Sequence, residues 1–381
     1  MDNFIYEYKT KVIFGNGSAK NNLANELEKY GKNIMVAFGG GSIKANGIYQ
    51  EVIDILNKAG KTVIDFLGIM SNPTYAKVQD GAKLAKEKNV DFILAVGGGS
   101  VIDCCKIICA QACSDEDIWT MEFEKGQLPA KMLPMGAIVT VSGTGAEMNC
   151  GAVITNEEKN IKTGVLGATP VFAILEPDYT KTVPYKQVIS GAFDTLSHAL
   201  ETYLGTSGTN HVSDDVALAI MKNTVNNIRV ILKDPNNMEA RANLMWDSAM
   251  AENGILKIGR KTDFQVHQIE HQLGAYTDCN HGQGLAVIQP VYCRHIVNDA
   301  INKFTKFAKE VFNEDSANKG VDAFFEFVKE CGLPTKMNEL DSKKEITPEL
   351  LKQVANSCNI IKTNPRELTH EEIYDILLEC I

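Results

Sequence analysis

Four of the seven histidines sit among acids, or near one another, at spacings that can hold a divalent metal. Asp194 and His198 lie in Gly191-Ala-Phe-Asp-Thr-Leu-Ser-His198-Ala-Leu-Glu201, and His267 and His271 lie in Val266-His-Gln-Ile-Glu-His271. His281 follows in Asn280-His281-Gly282-Gln-Gly284. On helices, partners four residues apart project from one face with Cβ atoms ~5–6 Å apart. A carboxylate with imidazoles is a ligand set for Fe²⁺ or Zn²⁺. Each pair alone also reads as a surface hydrogen bond or a chance spacing. The small and apolar neighbours argue for burial instead, and buried polar groups need partners that a metal would supply. Spacing does not choose among His267, His271 and His281 as ligands.

Glycine-rich loops form the second group. Phe38-Gly39-Gly40-Gly41-Ser42 and Val96-Gly97-Gly98-Gly99-Ser100 carry the same tetrapeptide, each after an apolar β-rich run. Glycines there let backbone N–H groups approach a phosphate, and strand ends in open α/β sheets are where ligands bind. A single such loop reads equally as a tight turn; two equivalent ones favour a nucleotide. Neither matches G-x-G-x-x-G or the Walker A loop. Thr140-Val-Ser-Gly143-Thr144-Gly145-Ala-Glu147 is a third candidate, with a helix cap by Ser142 or Thr144 as the plainer reading. After Gly40, Gly41, Ser42 and Lys44 the chain has no acid before Glu51, a pattern suited to the 2′-phosphate of NADP(H).

The elements that must position these groups change character along the chain. Strands are expected over 33–38, 62–66, 92–96 and 137–141, alternating with helices such as 48–57 and 75–88. This pattern predicts a Rossmann-like parallel sheet, with 4–14 as the nearest thing to an additional β layer. From about residue 182 helical patterns dominate, over 190–204, 212–232, 237–253, 301–311, 322–331 and 348–357. We therefore divide the chain into 1–181, a nucleotide-binding α/β domain, and 182–381, an all-helical metal-binding catalytic domain.

The 381 residues exceed one ordinary core, and the net charge of −10 argues against nucleic acid or an anionic membrane as partner. No apolar run reaches a membrane span, and the N-terminus has no signal-peptide pattern, so a cytoplasmic protein is expected. The ten cysteines include no CxxC pair, and Cys104, Cys105, Cys109 and Cys113 read as core packing on a helix. Phe193, Phe264, Ile269 and Leu273, near the ligands in sequence, predict an apolar pocket for linear substrates.

Over nearly its whole length the chain resembles the iron-containing alcohol dehydrogenase family, particularly its NADPH-linked butanol dehydrogenase branch. Lys11-Val-Ile-Phe-Gly15, Gly97-Gly-Gly-Ser-Val-Ile-Asp103-Cys-Cys-Lys106, Gly143-Thr-Gly-Ala-Glu147, Asp194-x-x-x-His198 and His267-x-x-x-His271 with His281-Gly-x-Gly284 carry the likeness. It implies a dehydroquinate synthase-like fold and metal binding by Asp194, His198, His267 and His281, with His271 beside the reaction centre. It further implies cofactor contacts from Asn72, Gly98, Gly99, Ser100, Thr140, Thr144 and Lys162. Ser71 and Ala146 depart from the family's proline and serine. The implied activity is hydride transfer between NADP(H) and primary alcohols or aldehydes such as butanol and butanal, by a homodimer. The rivals are an NAD-dependent glycerol-type polyol dehydrogenase and a dehydroquinate synthase-like lyase. The lyase would need lysines and arginines for its acidic substrate; Lys257, Arg260 and Lys261 are the nearest.

Overall fold

The computed structural model describes residues 2–205, 212–363 and 365–381. The chain divides into two compact units: Tyr8–Val183, and Met1–Glu7 together with Pro184–Ile381.

The first unit is built on strands β1 (Lys11–Phe14), β2 (Asn33–Ala37), β3 (Thr62–Phe66), β4 (Phe92–Gly97), β5 (Met135–Val139), β6 (Gly151–Asn156), β7 (Ile161–Leu166) and β8 (Phe172–Leu175). Six of them form one sheet in the order β1-β8-β5-β4-β2-β3. Every pairing in it is parallel. Every residue of β4, β5 and β8 is buried, as strands covered on both faces must be. Helix Ser18–Leu27 covers part of one face with Ala19, Leu23 and Leu27, spaced four apart. Burying one such leucine contributes about 2 kcal/mol. Helix Tyr75–Glu87 starts where Thr74 accepts a hydrogen bond from the Lys77 N–H at 3.2 Å.

Two expectations change, and three strands are additional. Only Lys11–Phe14 of the 4–14 segment is a strand, and it is the edge of the main sheet, paired with β8, rather than an extra layer. The fifth strand begins two residues before the expected 137 and ends at Val139. Four-residue β8 is too short to give a periodic signal. The antiparallel hairpin β6–β7 likewise escapes notice, because its one-sided burial alternates over glycines and polar residues. Asn160 makes its turn at φ 52°, a left-handed conformation that asparagine tolerates.

Among its described residues the second unit has no strand. Its helices are Tyr185–Leu204, Val212–Lys233, Met238–Glu252, Gln265–Thr277, His281–Ile296, Ile301–Phe307, Ala317–Glu330, Pro348–Ser357 and His370–Glu379. The first starts five residues before expected, directly after Pro184, which stands as its cap residue with ψ 139°. The expected 301–311 helix passes into a π-turn over Ala308–Phe312. No helix among the described residues is long and apolar enough to cross a membrane.

Candidate metal centre and nucleotide loops

Helix Tyr185–Leu204 is buried continuously from Ile189 to Leu204, so Asp194 and His198 are held inside the helical unit. Its neighbour Gln265–Thr277 buries His267 and His271 in the same way. His281 is the first residue of the next helix, whose cap Asn280 accepts from the Gln283 N–H at 3.2 Å. The same Asn280 Oδ1 accepts from the Ser190 hydroxyl at 2.6 Å, which ties this helix start to the first helix. Gly282 explains the closeness: a Cβ there would stand 2.3 Å from the Ser190 carbonyl oxygen. At Gly284 a Cβ would stand 2.9 Å from Glu270 Cγ. The two glycines therefore let the His281 helix approach both ligand-bearing helices at once.

One oxygen organises the cluster. Asp194 Oδ1 lies 3.5 Å from His198 Nδ1, 3.5 Å from His267 Nε2 and 3.5 Å from His281 Nε2. Ligand atoms ~2.1 Å from an ion at tetrahedral angles lie roughly 3.4 Å from one another. Asp194 Oδ1, His198 Nδ1 and His267 Nε2 are buried and make no hydrogen bond. Asp194, His267 and His281 offer donor atoms all within 4.8 Å of one another. His198 stands beside this trio, stacked on His267 with ring centroids 4.4 Å apart. The donor set, its spacing and the buried polar atoms all fit a divalent cation.

Two glutamates that the sequence reading gave no role complete the centre. Glu201 bonds His267 Nδ1 and also accepts from the Val266 N–H at 2.8 Å. Glu270 bonds His281 Nδ1. Both side chains are fully buried, and each leaves the opposite imidazole nitrogen, Nε2, to face Asp194. Their spacing was a usable signal. Glu201 stands seven residues after Asp194 and three after His198, and Glu270 stands three after His267, so each shares a helix face with a ligand candidate.

The charges respond accordingly. Burial pushes the Asp194 carboxyl up, but His198, His281 and His267 outweigh it and hold it well below the usual carboxylate range. Burial acts to lower His267; Glu201 and Asp194 overcome this and raise it to about 10. His281 is raised against burial by Glu270 and Asp194. Burial wins at His198, whose pKa falls despite Asp194. Carboxylates that draw protons onto these rings also draw a divalent cation, which competes with those protons.

His271 is buried, its ring centroid 5.5 Å from His281 and 5.9 Å from His267. It also falls in a second donor group with Glu270 and His281. The expected apolar pocket is corrected: Phe193, Ile269 and Leu273 belong to the fully buried core, with Phe193 stacked on Phe324. Phe264 is the exception. It is half-buried, 5.2 Å from the His267 ring, and held at φ 64°, a costly conformation for an aromatic residue.

In the sheet unit, strand ends bring the predicted nucleotide residues together. The Thr140 N–H donates to the Gly97 carbonyl at 3.0 Å. Gly98 meets Val141, and a Cβ at Gly99 would stand 2.3 Å from Thr144 Oγ1, so the two loops interlock. Thr144 accepts from the Ala146 N–H at 3.2 Å, a local turn bond; the short helix that follows has no side-chain cap. Ser100 donates to the Ser71 carbonyl, beside Asn72. The Thr155 N–H donates to the Pro73 carbonyl at 2.9 Å, and Thr155 pairs with buried Lys162 across the hairpin. Asn72, Gly98, Gly99, Ser100, Thr140, Thr144 and Lys162 thus share one neighbourhood. Gly40, Gly41 and Ser42 follow β2 and lead into a single helical turn, Ser42–Ala45. An acid from the neighbouring strand also stands there. Asp65, opposite Val36 on β3, lies 3.5 Å from Lys44 Nζ.

Comparison with known proteins accords with this arrangement. Residues 9–177 match the iron-containing alcohol dehydrogenase family, and residues 188–381 match the C-terminal region of the Fe-containing alcohol dehydrogenase family. The chain belongs to the iron-containing alcohol dehydrogenase family. It is 35% identical to the NADH-dependent butanol dehydrogenase A of Clostridium acetobutylicum, over 99% of both proteins. It is 33% identical to the NADPH-dependent aldehyde reductase YqhD of Escherichia coli, over 93% of both. The crystal structure of NADH-dependent butanol dehydrogenase A from Thermotoga maritima superposes with a TM-score of 0.93 at 32% identity, covering 100% of this chain and 99% of that one. The architecture is the dehydroquinate synthase-like fold of these enzymes.

Proposed function

We propose that this alcohol dehydrogenase exchanges a hydride between NADP(H) and primary alcohols or aldehydes such as butanol and butanal, a substrate class supported by the relatives named butanol dehydrogenases. Asp194, His198, His267 and His281 hold one divalent ion. The observation that carries this is the set of three imidazole nitrogens, each 3.5 Å from Asp194 Oδ1. The bound ion supplies Lewis acidity at the alcohol or carbonyl oxygen. The N/O donors accept Fe²⁺ and Zn²⁺ alike, and the family likeness favours iron.

The chain's own residues do the rest. Gly98, Gly99 and Ser100 receive the pyrophosphate, and Asn72, Thr140, Thr144 and Lys162 orient the nucleoside parts. Gly40, Gly41, Ser42 and Lys44 receive the adenosine ribose and its 2′-phosphate. Alcohol oxidation passes the carbinol hydride to the nicotinamide ring and releases the hydroxyl proton; aldehyde reduction reverses both. His271, next to the His281 ring, takes or returns that proton, as an imidazole can near neutral pH. Residues 1–181 are the nucleotide-binding part and residues 182–381 the metal-binding part. A homodimer rests on the family likeness, and light scattering tests it; a cytoplasmic location belongs to the same reading.

An NAD(H) reading is the second one, favoured by the relatives named NADH-dependent butanol dehydrogenases. The lyase reading loses support. Arg260 is buried in an ion pair with Asp214 at 2.7 Å, and Lys257 pairs with Glu252 at 2.8 Å. Two of the three cations nearest the ligands, Lys257 and Arg260, are thus already paired within the helical unit.

The test combines metal analysis with an activity panel. His267→Ala should lose metal and activity together while keeping its helical circular dichroism. Wild type should reduce butanal with NADPH at a higher kcat/KM than it reduces dihydroxyacetone. Full metal occupancy in His267→Ala sinks the ligand assignment, and a better rate with the polyol sinks the substrate assignment.

A further inference from the structure

The geometry points to Asp65, shared between Tyr49 and Lys44, as the residue that sets the preference between NADP(H) and NAD(H). Its carboxylate offsets part of the Lys44 charge available to a 2′-phosphate. This rests on the reading that residues 40–44 receive the adenosine ribose.

Lys44 is placed by three neighbours. Its ammonium lies 5.0 Å from the Phe38 ring centroid and 4.4 Å from that of Tyr49, over a floor made by two aromatic rings. Asp65 Oδ2 stands 3.5 Å from it. The Tyr49 hydroxyl donates to both Asp65 oxygens, at 2.9 and 2.7 Å, which fixes the carboxylate and spreads its charge. Strand register puts Asp65 there: it is opposite Val36 in β2, two residues before Phe38, where the glycine loop begins. The loop itself stays open. A Cβ at Gly40 or at Gly41 would meet nothing within 4 Å, and Ser42 is exposed.

An acid near the ribose favours NAD(H), because it accepts from the 2′-hydroxyl and repels a 2′-phosphate. Here that acid comes from the neighbouring strand, and its charge is divided between a phenol and the lysine that would bind the phosphate. The Lys44–Asp65 pair is half-exposed, with side-chain exposures of 46% and 31%. Such pairs exchange partners at small cost. A phosphate dianion therefore competes with Asp65 for one ammonium group.

The test measures equilibrium binding of NADPH and of NADH by dinucleotide fluorescence, in the metal-loaded full chain without aldehyde. Asp65→Asn, an isosteric change on an edge strand, should shift the affinity ratio about three- to fivefold toward NADPH. Tyr49→Phe should shift it about twofold toward NADH, since the carboxylate then turns wholly on Lys44. Lys44→Gln should cost NADPH about tenfold with little change for NADH. In Lys44→Gln/Asp65→Asn the Asp65 effect should shrink below its value in the presence of Lys44, because the part that acts through the lysine is gone. Thermal midpoints within a few degrees of wild type would show that the fold survives. Two results overturn the inference. If Lys44→Gln weakens NADPH but neither Asp65→Asn nor Tyr49→Phe moves the ratio, Asp65 has no such role and the loop reading stands. If Lys44→Gln changes neither affinity, the loop reading falls and takes the inference with it. The predicted shifts are relative to wild type, so they hold whichever cofactor wild type prefers.

Discussion

Glu201 and His267 form a buried pair in which the carboxylate grips Nδ1 and leaves Nε2 to face Asp194 Oδ1, 3.5 Å away. The glutamate thereby chooses the imidazole's orientation and raises its basicity. Partners of this kind typically contribute 10- to 100-fold to metal affinity. Glu201→Gln should weaken metal binding by about that range, in competition with a chelator, with little loss of helical circular dichroism. Unchanged metal affinity in this variant would show that Glu201 serves packing alone.

Gly282 tests how the third histidine arrives. A Cβ at this position would sit 2.3 Å from the Ser190 carbonyl oxygen, a backbone atom with no room to yield. Gly282→Ala must separate the two helices. It should cost about 1–3 kcal/mol in unfolding experiments and reduce metal content. Wild-type metal content and stability together would contradict the contact.

Gly99→Ala probes the nucleotide loop independently. Its Cβ would meet Thr144 Oγ1 at 2.3 Å, pushing apart two loops that carry cofactor contacts in our reading. The cofactor KM should rise about tenfold, the effect of roughly 1.4 kcal/mol, while metal content stays at the wild-type level. A lost metal with an unchanged cofactor KM would reverse the division of labour between the two units.

Asp247 gives a pH dependence away from both sites. Burial pushes its carboxyl up to about 6, against hydrogen bonds from Asn223 and Thr224 that lower it. In the unfolded chain an aspartate titrates near 3.9. Between about pH 4 and pH 6 the folded state therefore keeps a proton that the unfolded state has released, and stability falls as pH rises through that window. The contribution is about 2–3 kcal/mol, fully lost above the folded pKa. Urea unfolding of wild type and Asp247→Asn at pH 4 and pH 7 checks it. The variant should lose this part of the decline, and equal declines in both proteins would disprove the assignment.

Much of this is legible in the amino-acid sequence. Continuous apolar runs ending in Gly-Gly-Gly-Ser located two strands and their loops, because a strand buried on both faces needs apolar residues at every position. The four-residue spacings of Asp194/His198 and His267/His271 placed each pair on one helix face, because a turn takes 3.6 residues. The apolar neighbours differ from expectation for the same geometric reason. Phe193 is one residue from Asp194, which on a helix turns it roughly 100° away. It faces Phe324 in the core rather than a substrate. Ile269 and Leu273, two residues beyond His267 and His271, are likewise core.

What the sequence determined by itself was local: which segments form strands and helices, and which polar residues share a helix face. Tertiary structure alone decided the meetings between segments distant along the chain. It brought the His267 and His281 nitrogens to the Asp194 oxygen that His198 already faces, matched Glu201 and Glu270 to their imidazoles, and set Asp65 beside Lys44 across a parallel strand pair. The physical reason is that such contacts depend on packing and register. A Gly282 that admits a neighbouring backbone, or a register that sets Asp65 opposite Val36, acts across segments with no periodic trace in the chain.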